Sequence, residues 1–391
     1  MELPRGFLFN AISAGIKKEG PDLGLIWSEK EALAAGVFTR NLVKAAPVIL
    51  GKRLLEKNVR VRGILVNSGC ANACTGEAGL EDARIILKEL SAIAGVPEGA
   101  ILPASTGVIG ERLPKTKIIA RLRELWEGLS PRKYELLARA MMTTDTFPKV
   151  ISHHLTLPSG KEGTLVGFAK GAGMIAPNMA TMLAFVLTDI EVDLPFLQEA
   201  LQQAVEMSFN RITVDGDTST NDTVYLLANG ERGALSREDK DTFQAGLLKL
   251  CRELARLIVK DGEGANKLVR IRLEGARKET EAILLARTVA DSLLVKTAFF
   301  GEDPNWGRIL AAMGRAGVHF DPYRVDIFIN QIQIVENGLG KGKEAEKLAH
   351  KEMKKPEFVL TIRLKEGNSS AEILTCDLSY EYVKINAEYR T

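Results

Sequence analysis

The chain alternates short β-branched apolar runs with longer stretches in which apolar residues recur every three to four positions. The short runs predict strands over residues 62–67, 164–169 and 181–188. The longer ones predict helices over 80–94, 115–129, 194–210 and 239–260. Glycine-containing turns punctuate them at Asn67-Ser-Gly69, Ser105-Thr-Gly107, Lys170-Gly-Ala-Gly173 and Asp261-Gly-Glu-Gly264. Strands and helices mix in both halves, which predicts a layered α/β architecture. Beyond about residue 280 β-rich runs dominate, at 281–289, 323–335 and 358–363, so the pattern predicts a larger domain over 1–280 and a smaller α/β domain over 281–391.

Composition narrows the function classes. Lys and Arg number 52 against 50 Asp and Glu, a formal charge of +2, and that balance carries no electrostatic footprint for nucleic acid. No window approaches the ~18 uninterrupted apolar residues of a membrane span. The opening residues lack a basic segment followed by a sustained apolar one, so a cytoplasmic protein is expected. Cys70, Cys74, Cys251 and Cys376 are too few for a disulfide framework, and Cys70-x3-Cys74 lacks a second ligand pair for zinc.

Two features imitate ligand sites. Gly171-Ala-Gly-Met-Ile-Ala176 fits the G-x-G-x-x-A dinucleotide pattern, but that pattern works only when its glycines open a helix facing a pyrophosphate. Here Pro177 and Asn178 follow, and then an apolar β-branched run. Asp215-Gly-Asp-Thr-Ser-Thr-Asn-Asp222 offers alternating oxygens but lacks the glycine and glutamate of a calcium loop. The cluster reads better as turn chemistry shaping a pocket. His153, His154, His319 and His350 show no zinc spacing, so neither metal nor resident cofactor is expected.

The glycines have another use ahead of Ala180-Thr181. A small residue, a β-hydroxyl residue and an apolar strand in succession make up the local chemistry of a self-processing nucleophile. The Thr181 hydroxyl attacks the Ala180 carbonyl, an ester forms by N-to-O shift, and water releases a free amine beside the hydroxyl, where it can serve as base. On spacing alone, a threonine in this position is far more often just the first residue of a strand than a nucleophile.

Met174-Ile-Ala-Pro-Asn-Met-Ala-Thr-Met-Leu183 resembles the self-cleavage segment of the glutamate N-acetyltransferases, or ornithine acetyltransferases, of arginine biosynthesis. Further blocks resemble the same family in the same order: 67–76, Pro103-Ala-Ser-Thr-Gly-Val-Ile-Gly110, Met142-Thr-Thr-Asp-Thr146, 208–222, Gly301-Glu-Asp-Pro-Asn-Trp-Gly-Arg308 and Ile385-Asn-Ala-Glu-Tyr-Arg-Thr391. Cys70 departs from the asparagine of many relatives.

The resemblance implies an αββα sandwich like that of N-terminal-nucleophile hydrolases. It implies cleavage between Ala180 and Thr181 into fragments 1–180 and 181–391, which assemble as two copies of each. Acetyl would pass from N2-acetylornithine to Thr181 and then to glutamate, giving ornithine and N-acetylglutamate, with acetyl-CoA a second acetyl source in some members. By the same resemblance Thr106 and Gly107 form the oxyanion hole. Thr144, Lys170, Glu263, Asn386 and Thr391 contact substrate, with the chain end folding back to the site. Two other readings compete: a self-processing aminopeptidase or amidase, and a nucleotide-binding module resting on Gly171-x-Gly173.

Overall fold

The structure, a computed structural model, describes residues 1–57, 60–176 and 182–388. The described residues divide into two compact units, the first comprising residues 1–210 and 217–258, the second 211–216 and 259–388.

Eight strands form the first unit: β1 (Phe7–Ile12), β2 (Leu23–Phe38), β3 (Val61–Asn67), β4 (Ile101–Ser105), β5 (Lys149–Thr156), β6 (Glu162–Lys170), β7 (Leu183–Thr188) and β8 (Thr223–Ala228). The 16-residue β2 organises them. Its first half pairs with β1 and β3, and β3 carries β4 in parallel. Past an irregularity between Trp27 and Ala32, its second half pairs with β8, which runs on through β7 and β6 to β5. One strand thus serves two sheet halves. Phe7, Phe9 and Ile26 from one half share a core with Val166, Phe168, Phe185 and Leu187 from the other. The rings of Phe9 and Phe168 lie 5.4 Å apart.

Helices complete the unit, most on the outer faces, while Leu137, Ala138 and Met141 of one sit in the core shared by the sheet halves and Leu54 and Leu55 of another pack against it. They are α1 (Ala46–Glu56), α2 (Gly76–Ala94), α3 (Lys115–Glu127), α4 (Tyr134–Met141), α5 (Leu194–Glu206) and α6 (Lys240–Lys260). Ile86 and Leu90 of α2 and Ile118 and Leu122 of α3 pack on Leu25, Trp27 and Leu65. Against β6, α6 comes so close that a Cβ on Gly167 would lie 2.6 Å from Leu254 Cδ1. The order helix, sheet, sheet, helix is the αββα layering expected. Because both faces of the central strands are covered, β7 reads Leu-Ala-Phe-Val-Leu-Thr with every residue buried.

The second unit has one sheet, ordered β12-β11-β10-β13-β9-β14. Its strands are β9 (Leu268–Ala276), β10 (Asp326–Ile329), β11 (Ile332–Glu336), β12 (Leu339–Gly340), β13 (Glu357–Arg363) and β14 (Ser369–Cys376). Its helices are α7 (Glu279–Ala290), α8 (Leu293–Phe300), α9 (Trp306–Gly314), α10 (Lys343–Met353) and α11 (Tyr380–Glu388). Val269, Ile271 and Leu273 of β9 face the helices, and the alternate Arg270, Arg272 and Glu274 pair with Glu372 and Arg363.

Two expectations need correction. Residues 281–289 are not a β-rich run but lie in helix α7. Ala282, Leu285, Ala286, Val289 and Ala290 are its buried face, a three-to-four spacing that the local density of apolar residues concealed. The boundary expected at 280 also moves. β9 lies before it yet pairs with β13 and β14 of the second sheet, and residues 211–216 join that unit through the Thr213 N–H, which donates to Leu374 O at 2.9 Å.

Candidate active site

Parallel strands β3 and β4 end side by side at Asn67 and Ser105. The Ser105 hydroxyl donates to Asn67 Oδ1 at 2.6 Å, and Asn67 Nδ2 donates to Cys70 O at 2.9 Å. Asn221 ties the two loops together, donating from Nδ2 to Ala71 O at 2.7 Å and Ser105 O at 2.9 Å. Gly107 sits at φ +128°, and a Cβ there would lie 2.3 Å from the Gly69 carbonyl carbon, so only glycine allows the loops to meet. The Thr106 N–H is already committed to Asn67 O at 3.0 Å. What remains to face a ligand is the Thr106 hydroxyl and the Gly107 N–H, which has no acceptor among the described residues.

Lys170 ends β6 and is buried. Its Nζ donates to Thr143 Oγ1 at 2.8 Å and to Thr106 Oγ1 at 3.3 Å, which leaves the Thr106 hydrogen available for donation elsewhere. Asp145 Oδ2 lies 3.8 Å from the ammonium. Asp145 is held on all sides: Lys149 Nζ and the Gly171 N–H each reach Oδ1 at 2.7 Å, and the Thr143 N–H reaches Oδ2 at 3.1 Å. Burial alone would raise its pKa, but Lys170, Lys149 and the Gly171 amide outweigh it and pull the carboxyl down to about 2. Lys17 adds a third cation nearby, its Nζ on Met142 O at 3.1 Å, with burial lowering its pKa against the pull of Asp22 and Asp145. Lys17, Lys149 and Lys170 gather around the ionised Asp145, cationic chemistry suited to a carboxylate.

Of the sequence-predicted residues, Thr106, Gly107 and Lys170 are therefore brought together. Thr144 lies in the same turn, half-buried and without a hydrogen-bond partner among the described residues, whereas its neighbour Thr143 takes the lysine. Ala180 and Thr181 fall outside the described residues, as do Pro177 and Asn178. Their flanks are both gripped by one stretch of chain. The Thr218 hydroxyl donates to Ala176 O at 3.1 Å, and the Met182 N–H donates to Asp222 Oδ1 at 2.8 Å. The Asp/Thr/Asn cluster thus meets this region through long-range hydrogen bonds rather than the turn bonds expected. No helix follows Gly171–Gly173 in residues 171–176, where Met174 instead takes a positive φ of 55°.

Glu263 and Asn386 meet within the second unit. Asn386 Nδ2, on α11, donates to Glu263 Oε2 at 2.7 Å, and Glu263 is buried. Thr391 lies outside the described residues. The sequence reading missed Asp145, Lys149, Thr143 and Asn221 as part of the site. Asp145 sat inside the Met142–Thr146 block, and a buried charge flanked by lysine four residues on was the available signal.

A family model, the ArgJ family, matches residues 8–391. The chain belongs to the ArgJ family. The "Arginine biosynthesis bifunctional protein ArgJ" of Desulfotalea psychrophila is 51% identical to it over 99% of both chains. The "Glutamate N-acetyltransferase" of Methanocaldococcus jannaschii is 44% identical, covering 99% of this chain and 98% of that one. Among solved structures, the ArgJ crystal structure from Bacillus halodurans superposes with a TM-score of 0.50 and 39% identity, covering 52% of this chain and 98% of its own. The resemblance read from the motifs is borne out, and the ArgJ relatives favour acetyl transfer over the aminopeptidase alternative.

Proposed function

We propose that this protein transfers acetyl from N2-acetylornithine to glutamate in arginine biosynthesis, with Thr181 as the nucleophile after self-cleavage at Ala180-Thr181. The observation that carries the reading is full-length similarity to glutamate N-acetyltransferases at 44% identity. The half-length match of the Bacillus halodurans chain is consistent with a protein divided in two.

The Thr181 oxygen adds to the acetyl carbonyl, the tetrahedral oxyanion takes hydrogen bonds from the Thr106 hydroxyl and the Gly107 N–H, and ornithine leaves with the proton. Glutamate then attacks acetyl-Thr181 through the same geometry. Lys170 receives the α-carboxylate that both amino acids share, steadied by Asp145 and Thr143. Thr144 supplies a further contact. Glu263, with Asn386 and Thr391, takes the substrate amino group and assists proton transfer. The fragments assemble as two copies of each in the cytoplasm. Relatives carry both the bifunctional and the single-activity name, so acetyl-CoA is a second donor to be tested by direct assay with glutamate.

The deciding experiment is electrophoresis of the denatured protein with a transfer assay. Fragments 1–180 and 181–391 are expected, with N-acetylglutamate formed from N2-acetylornithine and glutamate. Thr181→Ala should run as one inactive band. A Thr181→Ala chain that still splits there, or ornithine release with no N-acetylglutamate, overturns the reading.

A further inference from the structure

The start of β7 is built irregularly, at the residue joined directly to Thr181. In a parallel ladder Met182 should donate its N–H to the carbonyl of Asn221 and accept at its own carbonyl from the Thr223 N–H. The second bond is present at 3.1 Å. The first is replaced: the Met182 N–H goes to the side chain of Asp222 at 2.8 Å, while the Asn221 carbonyl accepts the Thr223 hydroxyl at 3.0 Å. At the residue just before the paired ladder a carboxyl takes the N–H that a further ladder bond would have used.

That choice is costly. Asp222 is buried, and its Oδ2 has no hydrogen-bond partner among the described residues. The Thr39 hydroxyl lies close enough to favour the ionised carboxyl, but its hydrogen bond goes to Ser219 O at 2.8 Å. Strand pairing alone does not call for a half-satisfied buried carboxyl, and such groups in a folded protein ask for an explanation.

We propose that Asp222 is a positioning residue of the reaction: it clamps the amide that follows Thr181, fixing the nucleophile's backbone independently of the β7–β8 ladder. The inference rests on Thr181 being the nucleophile. The clamp acts at one end of residues 177–181 while Thr218 holds the other at Ala176. It requires an acceptor at Oδ1 rather than a negative charge. Burial pushes the Asp222 carboxyl well above its ordinary pKa, against the opposing pull of the Met182 amide, Lys170 and the Thr39 hydroxyl, and an amide oxygen in its place would accept the same N–H.

The test uses the full chain, with rates taken per cleaved molecule. Asp222→Ala should lose about a hundredfold in kcat for acetyl transfer and self-cleave more slowly, while KM for N2-acetylornithine stays within about threefold. Asp222→Asn, which retains an oxygen for the Met182 N–H, should recover about tenfold or more of that loss. Should Asp222→Ala fail to fold, Asp222→Asn is compared with Asp222→Glu, which keeps the acid but displaces it; Asn is expected to be the faster. Unchanged kcat in Asp222→Ala, or an Asn variant no better than Ala or slower than Glu, overturns the clamp. Thr181→Ala run alongside separates the two ideas: if it still cleaves, the nucleophile reading fails. If it stays intact while Asp222→Ala is fully active, only the role of Asp222 fails.

Discussion

Asp145 and Asp222 are both aspartates buried in the first unit, yet their surroundings drive them in opposite directions. Asp145 sits in the turn after α4 with Lys149 and Lys170 around it and backbone amides on both oxygens. Asp222 sits at the foot of β8 with one amide on one oxygen and nothing described on the other. Burial penalises the charged form of both. At Asp145 the lysines and amides overcome that penalty and the group stays ionised; at Asp222 the penalty prevails. Depth alone therefore does not set the state of a buried carboxyl. The partners do: at Asp145 an anion holds Lys170, while at Asp222 burial raises the pKa of the acceptor that takes the Met182 amide.

The contrast can be broken most forcefully at Asp145. Asp145→Asn leaves Lys149 and Lys170 buried without their anion, and removing one partner of such a network costs about 3–5 kcal/mol. Chemical denaturation should show that loss, with acetyl transfer falling as Lys170 shifts. Retained stability would mean that the lysines, not Asp145, set the geometry.

Next comes Thr106, the link between Lys170 and the proposed oxyanion. Thr106→Val keeps the shape and removes the hydroxyl, and loss of one such donor costs about 3 kcal/mol of barrier, read as a fall in kcat. A kcat within a few-fold of the parent would take the Thr106 hydroxyl out of the chemistry.

Acid titration sharpens the comparison further, because the two groups tilt stability in opposite senses. Asp145, depressed to about 2, contributes stability that is present above its unfolded pKa of ~3.9 and is lost as pH falls through the folded value. Asp222, raised, contributes stability that is present below ~3.9 and is lost as pH rises through its folded value, since the native state then holds a proton the unfolded chain has released. Unfolding free energies of Asp222→Asn should accordingly gain on the parent as pH rises from 4 toward neutrality. A constant difference across that range would show Asp222 ionising normally.

Glu263 gives the smallest effect. It is another buried carboxyl, in the second unit, bonded to the Asn386 amide. Glu263→Gln should slow acetyl transfer about tenfold, or ~1.4 kcal/mol, while leaving self-cleavage largely intact. An unchanged transfer rate would remove it from the proposed site.

Some of this was legible in the chain. Period-2 and period-3.6 patterns located β3, β6, α2, α3 and α6, because those elements bury a face and their sequences carry its rhythm. Helix α7 was misread, because Ala, Ile, Leu and Val crowd its twelve residues and blur the period. β9 was assigned to the wrong side of the boundary, because strand pairing is a long-range choice that residues 268–276 do not encode locally. Lys170, Thr106 and Gly107 were singled out through motif resemblance, and the structure shows what that resemblance could not: which hydrogen of Thr106 is spent and which is free.

What the sequence by itself determined is therefore the family and the layered strand-and-helix alternation, with candidates for the chemistry singled out by resemblance, since each is written in residue types and their order. Only the tertiary structure decided how those residues are charged and held. Asp145 and Asp222 are the same side chain, each followed by threonine, and apart from Lys149 four residues after Asp145 nothing local separates them. Lysines contributed by β5 and β6 keep one ionised, and the closed start of the β7–β8 ladder pushes the other toward its neutral form. Electrostatic state depends on distance and burial in three dimensions, and those exist only once the chain has folded.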